Sequence, residues 1–173
     1  PNAKPNKAGG IIWSTTNTCI LYIRYPNSGP NENDRNSYTV QYCLDQTGAE
    51  PRPIYQDGLH GTDLNPEFYP VPRIRSAKSN YLFIYEGNAA DHWDCYYLPI
   101  GDYKSGRFAW KHLFGPEDKV LYSYGMEMDH RYYFKRIHDG NTELCYTDLR
   151  NPDFTDPVII ARGDGDRQVT TFK

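Results

Sequence analysis

The sequence predicts an all-β chain, and three observations carry that prediction. Paired aromatic runs recur at a spacing near 50 residues, turn-forming residues separate them, and no window holds the i, i+3, i+4, i+7 apolar spacing of an amphipathic helix. Residues 80–99, NYLFIYEGNAADHWDCYYLP, show the unit: one alternating run at 81–85, a polar loop, and a second run at 95–98. The pattern returns downstream as 132–137, a His138-Asp139-Gly140 turn and 143–149, and upstream as 20–24, a long loop and 38–44. Each second run carries a cysteine, and Cys43, Cys95 and Cys145 follow one another at 52 and 50 residues. A repeat near 50 residues built of short strands is the sequence form of a β-propeller blade. The expectation is four-stranded antiparallel blades in an incomplete ring, about 2.5–3 of them, since closure normally takes at least four.

Taken in order, residues 1–10 (PNAKPNKAGG) have no apolar period and read as a linker or frayed start, ahead of a partial propeller over 11–173. Residues 11–13 and 19–25 are short β-branched and aromatic strands. Residues 26–36 (PNSGPNENDRN) form a long hairpin loop, because so many turn residues exclude a strand interior. Residues 37–44 resume alternation, and 51–55 make an outer strand, where Pro51 and Pro53 are tolerated. Residues 57–65 cross to the next unit. Residues 67–75 are apolar but broken by Pro70 and Pro72, which suits an edge or a strand beside a channel.

After the central hairpin, 101–106 read as a turn and 107–114 as a strand. Residues 115–118 cross again, 120–124 read as a short inner strand and 126–129 as a turn. Residues 130–137 and 142–149 form the clearest hairpin, since Asp139-Gly140 is a dipeptide that tight primed turns prefer. Residues 157–161 are an outer strand. The GDGD run at 163–166 is a turn toward a further unit, of which 169–172 is the start.

Composition narrows the function classes. Charged residues are 24% and formal net charge is −3, which argues against a nucleic-acid partner. No apolar run reaches the length of a membrane span, and no signal peptide opens the chain. No Asn-x-Ser/Thr acceptor occurs, which favours a cytoplasmic home. The sixteen tyrosines each bring an aromatic body to bury and one hydroxyl to satisfy. Equivalent positions in neighbouring blades stand about 10 Å or more apart, too far for a disulfide. The spacing therefore predicts free thiols and a reducing compartment. No Cys-x-x-Cys pair marks a zinc or redox site, and no metal or cofactor is expected.

Several clusters have both a chemical and a structural reading. Asp91-His92-Trp93-Asp94 has metal or acid–base residue types, yet a hairpin tip with solvated charges accounts for it better. Glu127, Asp129 and His130 are ordinary residues for a turn before a strand. His112 alternates with aromatic residues and reads as a satisfied structural histidine. GDGD lacks the remaining ligands of a calcium loop. No nucleophile elbow surrounds any serine, so no catalytic residue is assigned.

The ordered strands resemble the β-propeller domain of prolyl oligopeptidase, a serine peptidase, over about residues 10–170. The resemblance rests on Ile11-Ile12-Trp13, on Leu21 to Pro26 with Asp34-Arg35-Asn36, and on Pro53 to Asp57. It continues in the apolar run ending at Glu86-Gly87, in Trp110 to Leu113, and in 141–148 with Phe154-Thr155-Asp156-Pro157. In that family the catalytic Ser, Asp and His lie on a separate α/β-hydrolase domain, absent from these residues. The propeller caps the active site and excludes large folded substrates. By position, the resemblance implies two side chains lining the peptide site, Phe68 and Asn88. Both depart from the family pattern, which usually has a flexible apolar residue at the first and often a cysteine at the second.

Three functions follow as expectations. The first is a substrate-gating part of a prolyl-oligopeptidase-like serine peptidase acting on short proline-containing peptides, with an α/β-hydrolase domain of the same parent as partner. The second is a non-enzymatic module binding a glycan or protein, its ring closed by self-association. A secreted lectin-like protein is a third, and it predicts disulfides.

Overall fold

A computed structural model of the chain describes residues 10–15, 18–26, 35–121 and 125–163. Its strands are β1 (Ile11–Trp13), β2 (Cys19–Arg24), β3 (Tyr38–Cys43), β4 (Arg52–Tyr55), β5 (Tyr69–Arg73), β6 (Tyr81–Gly87), β7 (Asp94–Pro99), β8 (Lys111–Phe114), β9 (Met126–Met128), β10 (Arg131–His138), β11 (Asn141–Asp148) and β12 (Val158–Arg162). They form three four-stranded antiparallel sheets, ordered β1-β2-β3-β4, β5-β6-β7-β8 and β9-β10-β11-β12. Each sheet is a simple meander and, among the described residues, no ring closes, in line with the expected incomplete ring.

The middle sheet is clamped from both sides. All seven residues of β6 are buried. Leu82 and Ile84 face the first sheet, packing with Leu21 and Ile54 and with Tyr55 and Leu64. Tyr81, Phe83 and Tyr85 face the third. Phe83 lies 5.5 Å from the Tyr132 ring, and the Tyr85 and Tyr132 hydroxyls hydrogen-bond at 2.7 Å. Successive strand residues point to opposite faces, so a strand covered twice needs no polar alternation. At Gly87 the close approach fixes the residue: a Cβ there would sit 2.2 Å from the Trp93 ring.

Pro70 and Pro72 occupy β5, which has β6 on one side and, among the described residues, no strand partner on the other. Both have the same parity, so the residues between them supply the N–H groups that β6 needs, and neither proline breaks the ladder. The first sheet ties down the free side: Thr39 donates to the Pro70 carbonyl at 2.5 Å and Ser37 to that of Phe68 at 3.1 Å.

Three expectations change. The stretch read as a turn at 101–106 is mostly a five-residue helix, α1 (Ile100–Lys104), too short for any periodicity window. It buries Ile100 and Tyr103, one turn apart. The strand expected at 107–114 is cut to β8, because Trp110 instead donates its indole N–H to the Ile54 carbonyl at 2.9 Å. The inner strand of the third sheet is β9, within the segment read as a turn. Asp129 and His130, with φ of 50° and 62°, make the primed turn that returns it to β10. Of the expected strand at 120–124, Val120 makes one isolated bridge to Arg136, and 122–124 lie outside the described residues. So do 1–9, most of the 26–36 loop, and the 164–172 part of the expected further unit.

The cysteine expectation is overturned in part. Cys19 and Cys43 form a disulfide, while Cys95 and Cys145 are free and buried. The spacing argument measured blade-to-blade separation. The bridge runs within one sheet, between directly opposed residues of β2 and β3 whose Cα atoms are 3.9 Å apart. Nor are the three spaced cysteines equivalent: Cys43 ends β3, Cys95 is second in β7, and Cys145 is fifth in β11. The inference of a reducing compartment from four free thiols falls with it. Among the described residues no helix is long and apolar enough to cross a membrane.

Between the second and third sheets the core holds a buried ion network. Arg136 and Glu143 are cross-strand partners in the β10–β11 hairpin, 2.8 Å apart, with Glu143 fully buried. Arg162 reaches the other carboxylate oxygen at 2.5 Å, and Arg136 also donates to the Phe154 carbonyl at 2.9 Å. Burial alone would raise the Glu143 pKa; the two guanidiniums outweigh it and hold the carboxyl below its ordinary value.

Removing one member of such a network strands the other charge. Arg136→Met is expected to lower unfolding stability by about 3–5 kcal/mol, read from the denaturant midpoint. The double variant Arg136→Met/Glu143→Leu should recover most of that loss. A double variant no better than the single one would show that the ion pair itself stabilises the hairpin.

Candidate functional site

The end of β4, the crossing at 56–68, the end of β6 and the start of β7 meet at one rim between the first and second sheets. Tight turns shape the crossing: Gly58 and Gly61 take φ of 69° and 77°, and Asp57 accepts the Leu64 N–H at 3.2 Å. The turn ends by placing Phe68 just ahead of β5. Tyr69 pairs with Gly87 as the first rung of the β5–β6 ladder, so Phe68 and Asn88 are the next residues beyond it on adjoining strands.

The register thus brings the two residues expected from sequence to the same rim. Their surroundings differ. Phe68 is half-buried against the Tyr55–Leu64–Ile84 cluster. Asn88 is exposed, and its side-chain oxygen accepts the Ala90 N–H at 3.2 Å, shaping the hairpin tip. A cavity of about 170 Å³ opens nearby, lined by Asn36, Ser37, Gln56, Asp57, Leu64 and Pro66.

Just inside the rim lies a group that the sequence reading did not single out for chemistry. Glu86 is 3% exposed and accepts the Tyr55 hydroxyl from the facing sheet. Burial pushes its carboxyl up to about 7. The Tyr55 hydrogen bond pulls the other way, and the carboxylates of Asp94, Asp63 and Asp57 add to the rise. Burial and the neighbouring Glu86 likewise raise the Tyr55 phenol far above its ordinary value, so it remains a donor. Tyr96 packs 5.6 Å from the Tyr55 ring, and Trp110 meets that ring edge-on at 5.2 Å. The sequence signal was present: one carboxylate inside YLFIYEG, a run otherwise apolar or aromatic up to its closing glycine.

Three of the remaining candidate clusters resolve into structure, while GDGD beyond Gly163 lies outside the described residues. Trp93 of the Asp91–Asp94 tip is buried, with its indole N–H on the Ala90 carbonyl at 2.8 Å, while His92 contacts the Val120 carbonyl at 3.1 Å. Asp94 pairs with His112 at 3.2 Å, and His112 packs edge-on against Tyr96. His130 meets the Tyr81 hydroxyl at 3.1 Å, and Glu127 accepts from Asn80 at 3.1 Å, both between sheets. The last two contacts hold the second and third sheets in register.

The sign of the Glu86 effect follows from its raised pKa. Between about 4.5 and about 7 the folded protein holds a proton that the unfolded chain has released, so stability falls as pH rises through that window. Glu86→Gln keeps an acceptor for Tyr55 and removes the titration. It should match the parent near pH 4.5 and be more stable at pH 8 by about 2–3 kcal/mol, measured by thermal unfolding at both pH values. Equal stability of parent and variant at both would refute a shifted Glu86.

Comparison with known proteins bears out the blade geometry. A family model described as "Prolyl oligopeptidase, N-terminal beta-propeller domain" matches residues 3–171. No curated protein sequence matches the chain. Among solved structures, apo prolyl oligopeptidase B from Galerina marginata superposes with a TM-score of 0.62 at 22% identity, over 87% of this chain and 20% of that one. A prolyl endopeptidase, from a study of two such enzymes and their inter-domain dynamics, gives 0.68 at 14% identity, over 91% and 22%. Oligopeptidase B from Leishmania major gives 0.58 at 15%, over 86% and 19%. The chain thus spans about a fifth of the length of these structures, and at such identities the likeness is one of fold. The family model matches nearly end to end, and three open meander sheets are the architecture it describes: the chain belongs to the prolyl oligopeptidase N-terminal β-propeller family.

Proposed function

We propose that these residues are part of the gating propeller of a prolyl-oligopeptidase-like serine peptidase that acts on short proline-containing peptides. The observation that carries this reading is the match of the family model to residues 3–171, in a chain whose sheets form an open arc. An α/β-hydrolase domain of the same parent supplies the serine nucleophile and is the partner. The blades contribute a rigid wall that limits access by size and keeps bulk water from the reacting bond. Phe68 and Asn88, neighbours at one rim, are the candidate substrate contacts. Two buried free thiols, Cys95 and Cys145, fit a cytoplasmic home; the Cys19–Cys43 bridge weighs against it.

A second reading draws on the apolar residues at both ends of the arc, Ile11 and Trp13 on the first sheet and Val158 on the third, each about half exposed. Copies of the chain associating through these ends would close a ring without further domains. Solution mass separates the two readings, since a discrete soluble dimer or trimer of the 173-residue polypeptide supports the module.

The gating reading expects the 173-residue polypeptide to show no hydrolysis of a fluorogenic proline-containing peptide and no labelling by a fluorophosphonate. The product of the whole reading frame should show both, and should cleave the short peptide far faster than the same sequence inside a folded protein. In that full-length protein Phe68→Ala is expected to raise KM several-fold with little change in kcat. Labelling of the 173-residue polypeptide would overturn the proposal.

A further inference from the structure

The Cys19–Cys43 bridge sits at the opposite end of the first sheet from the Phe68 rim, at the end of β3 and the start of β2. Three features there go beyond a structural staple. Asp45, two residues past Cys43 and exposed, brings a carboxylate oxygen within 4.8 Å of both sulfurs. A cavity of about 340 Å³ opens beside the bridge, walled by Gln41, Gln46, Tyr103 and Lys104. The Gln41 side-chain N–H group reaches both sulfurs, Cys43 at 2.9 Å and Cys19 at 3.5 Å.

A bridged sulfur is a weak hydrogen-bond acceptor, whereas a thiolate is a strong one. The amide is therefore placed for the reduced state, as outer-shell donors to thiolate ligands are in metal sites. Two thiolates and one carboxylate are a donor set for zinc, with Zn–S near 2.3 Å and Zn–O near 2.0–2.2 Å. Tetrahedral bonds of those lengths separate ligand atoms by roughly 3.3–3.8 Å. Rotation about the cysteine χ1 angles reaches that separation from directly opposed positions. The fourth position then opens into the cavity, where a water completes the shell.

We propose that Cys19, Cys43 and Asp45 form a redox-gated zinc site, closed while the disulfide stands and formed when it is reduced. The reductant is a small thiol, which the cavity is large enough to admit. Its thiolate attacks the Cys43 sulfur; the S–S bond breaks and its electron pair leaves on Cys19. A second thiol then attacks the small molecule's sulfur in the mixed disulfide and frees the Cys43 thiolate. The protein gains two electrons and the two small thiols leave as one symmetric disulfide. Zinc binding to the two cysteines releases whatever protons they still hold. In either state β2 and β3 remain tied, by a covalent bond or by a metal.

The test uses the full-length polypeptide, its C19S/C43S variant and Asp45→Asn, each reduced with a phosphine and titrated with zinc against a chromophoric chelator. Reduced parent should bind one more zinc per chain than C19S/C43S, and the oxidised parent should not bind that ion. Asp45→Asn alters an exposed residue and should weaken the extra site at least tenfold. Equal zinc uptake by reduced parent and C19S/C43S would overturn the site. Uptake unaffected by Asp45→Asn would overturn its three-ligand composition.

Discussion

The constraint on which the structure depends is that the middle sheet must be covered on both faces. β6 buries every one of its residues, and a lone sheet has no means to do that. Its side chains alternate between two separate cores, aliphatic toward the first sheet and aromatic toward the third. The aromatic side is a chain of tilted and stacked rings from Tyr81 through Phe83, Tyr132 and Phe134 to Phe154. Such pairs each contribute about 0.5–1.5 kcal/mol beyond the area they bury. Tyrosine suits these seams because its ring fills the gap while its hydroxyl crosses to the next sheet, as Tyr55 does to Glu86 and Tyr85 to Tyr132.

Two kinds of buried polar group result, and they behave oppositely. Glu143 faces two guanidiniums and stays charged, so its cost of burial is offset only while both partners remain. Glu86 faces a phenol and three carboxylates and holds its proton toward neutral pH. The first network ties β10, β11, β12 and the Phe154 loop of a single sheet. The second joins two sheets with a hydrogen bond that a neutral side chain makes as well as a charged one. The Arg136–Glu143–Arg162 network lies within one blade, whereas Tyr55–Glu86 and Tyr85–Tyr132 cross between blades through neutral hydroxyls.

The fold was largely legible because its units are local. Every sheet is a meander, so strands adjacent in sequence are adjacent in space, and the Asp139-Gly140 turn fixes its hairpin by backbone conformation alone. The failures came where short segments respond to neighbours. β9 is three residues, Met-Glu-Met, and its assignment depends on pairing with β10. α1 is held by burial of Ile100 and Tyr103 against the first two sheets rather than by helical periodicity. The Cys19–Cys43 pairing needed the β2–β3 register, which the 50-residue spacing does not encode. At the site, Phe68 and Asn88 were named by resemblance, and the register explains why they come together: each adjoins one member of the Tyr69–Gly87 pair. Glu86 was visible as an acid in an apolar strand, but its partner Tyr55 lies 31 residues away, across a blade boundary.

The ends of the arc follow from the same covering rule. The outer face of the third sheet carries Tyr133 and Tyr146, 5.5 Å apart, with Arg131 over the Tyr146 ring. This is a partial cover made from the sheet's own side chains. It leaves Val158 and Ile137 about half exposed. At the first sheet Ile11 and Trp13 are in the same position. Sheet faces of this kind are complementary to another sheet of like build, since stacked sheets need only apolar side chains at about 10 Å spacing. Further blades of one polypeptide meet that requirement at no cost in association entropy, whereas separate copies lose translational and rotational freedom to do the same. Covalent continuation is the less costly of these two ways to complete an arc, which supports the proposed reading of these sheets as consecutive blades of a longer propeller.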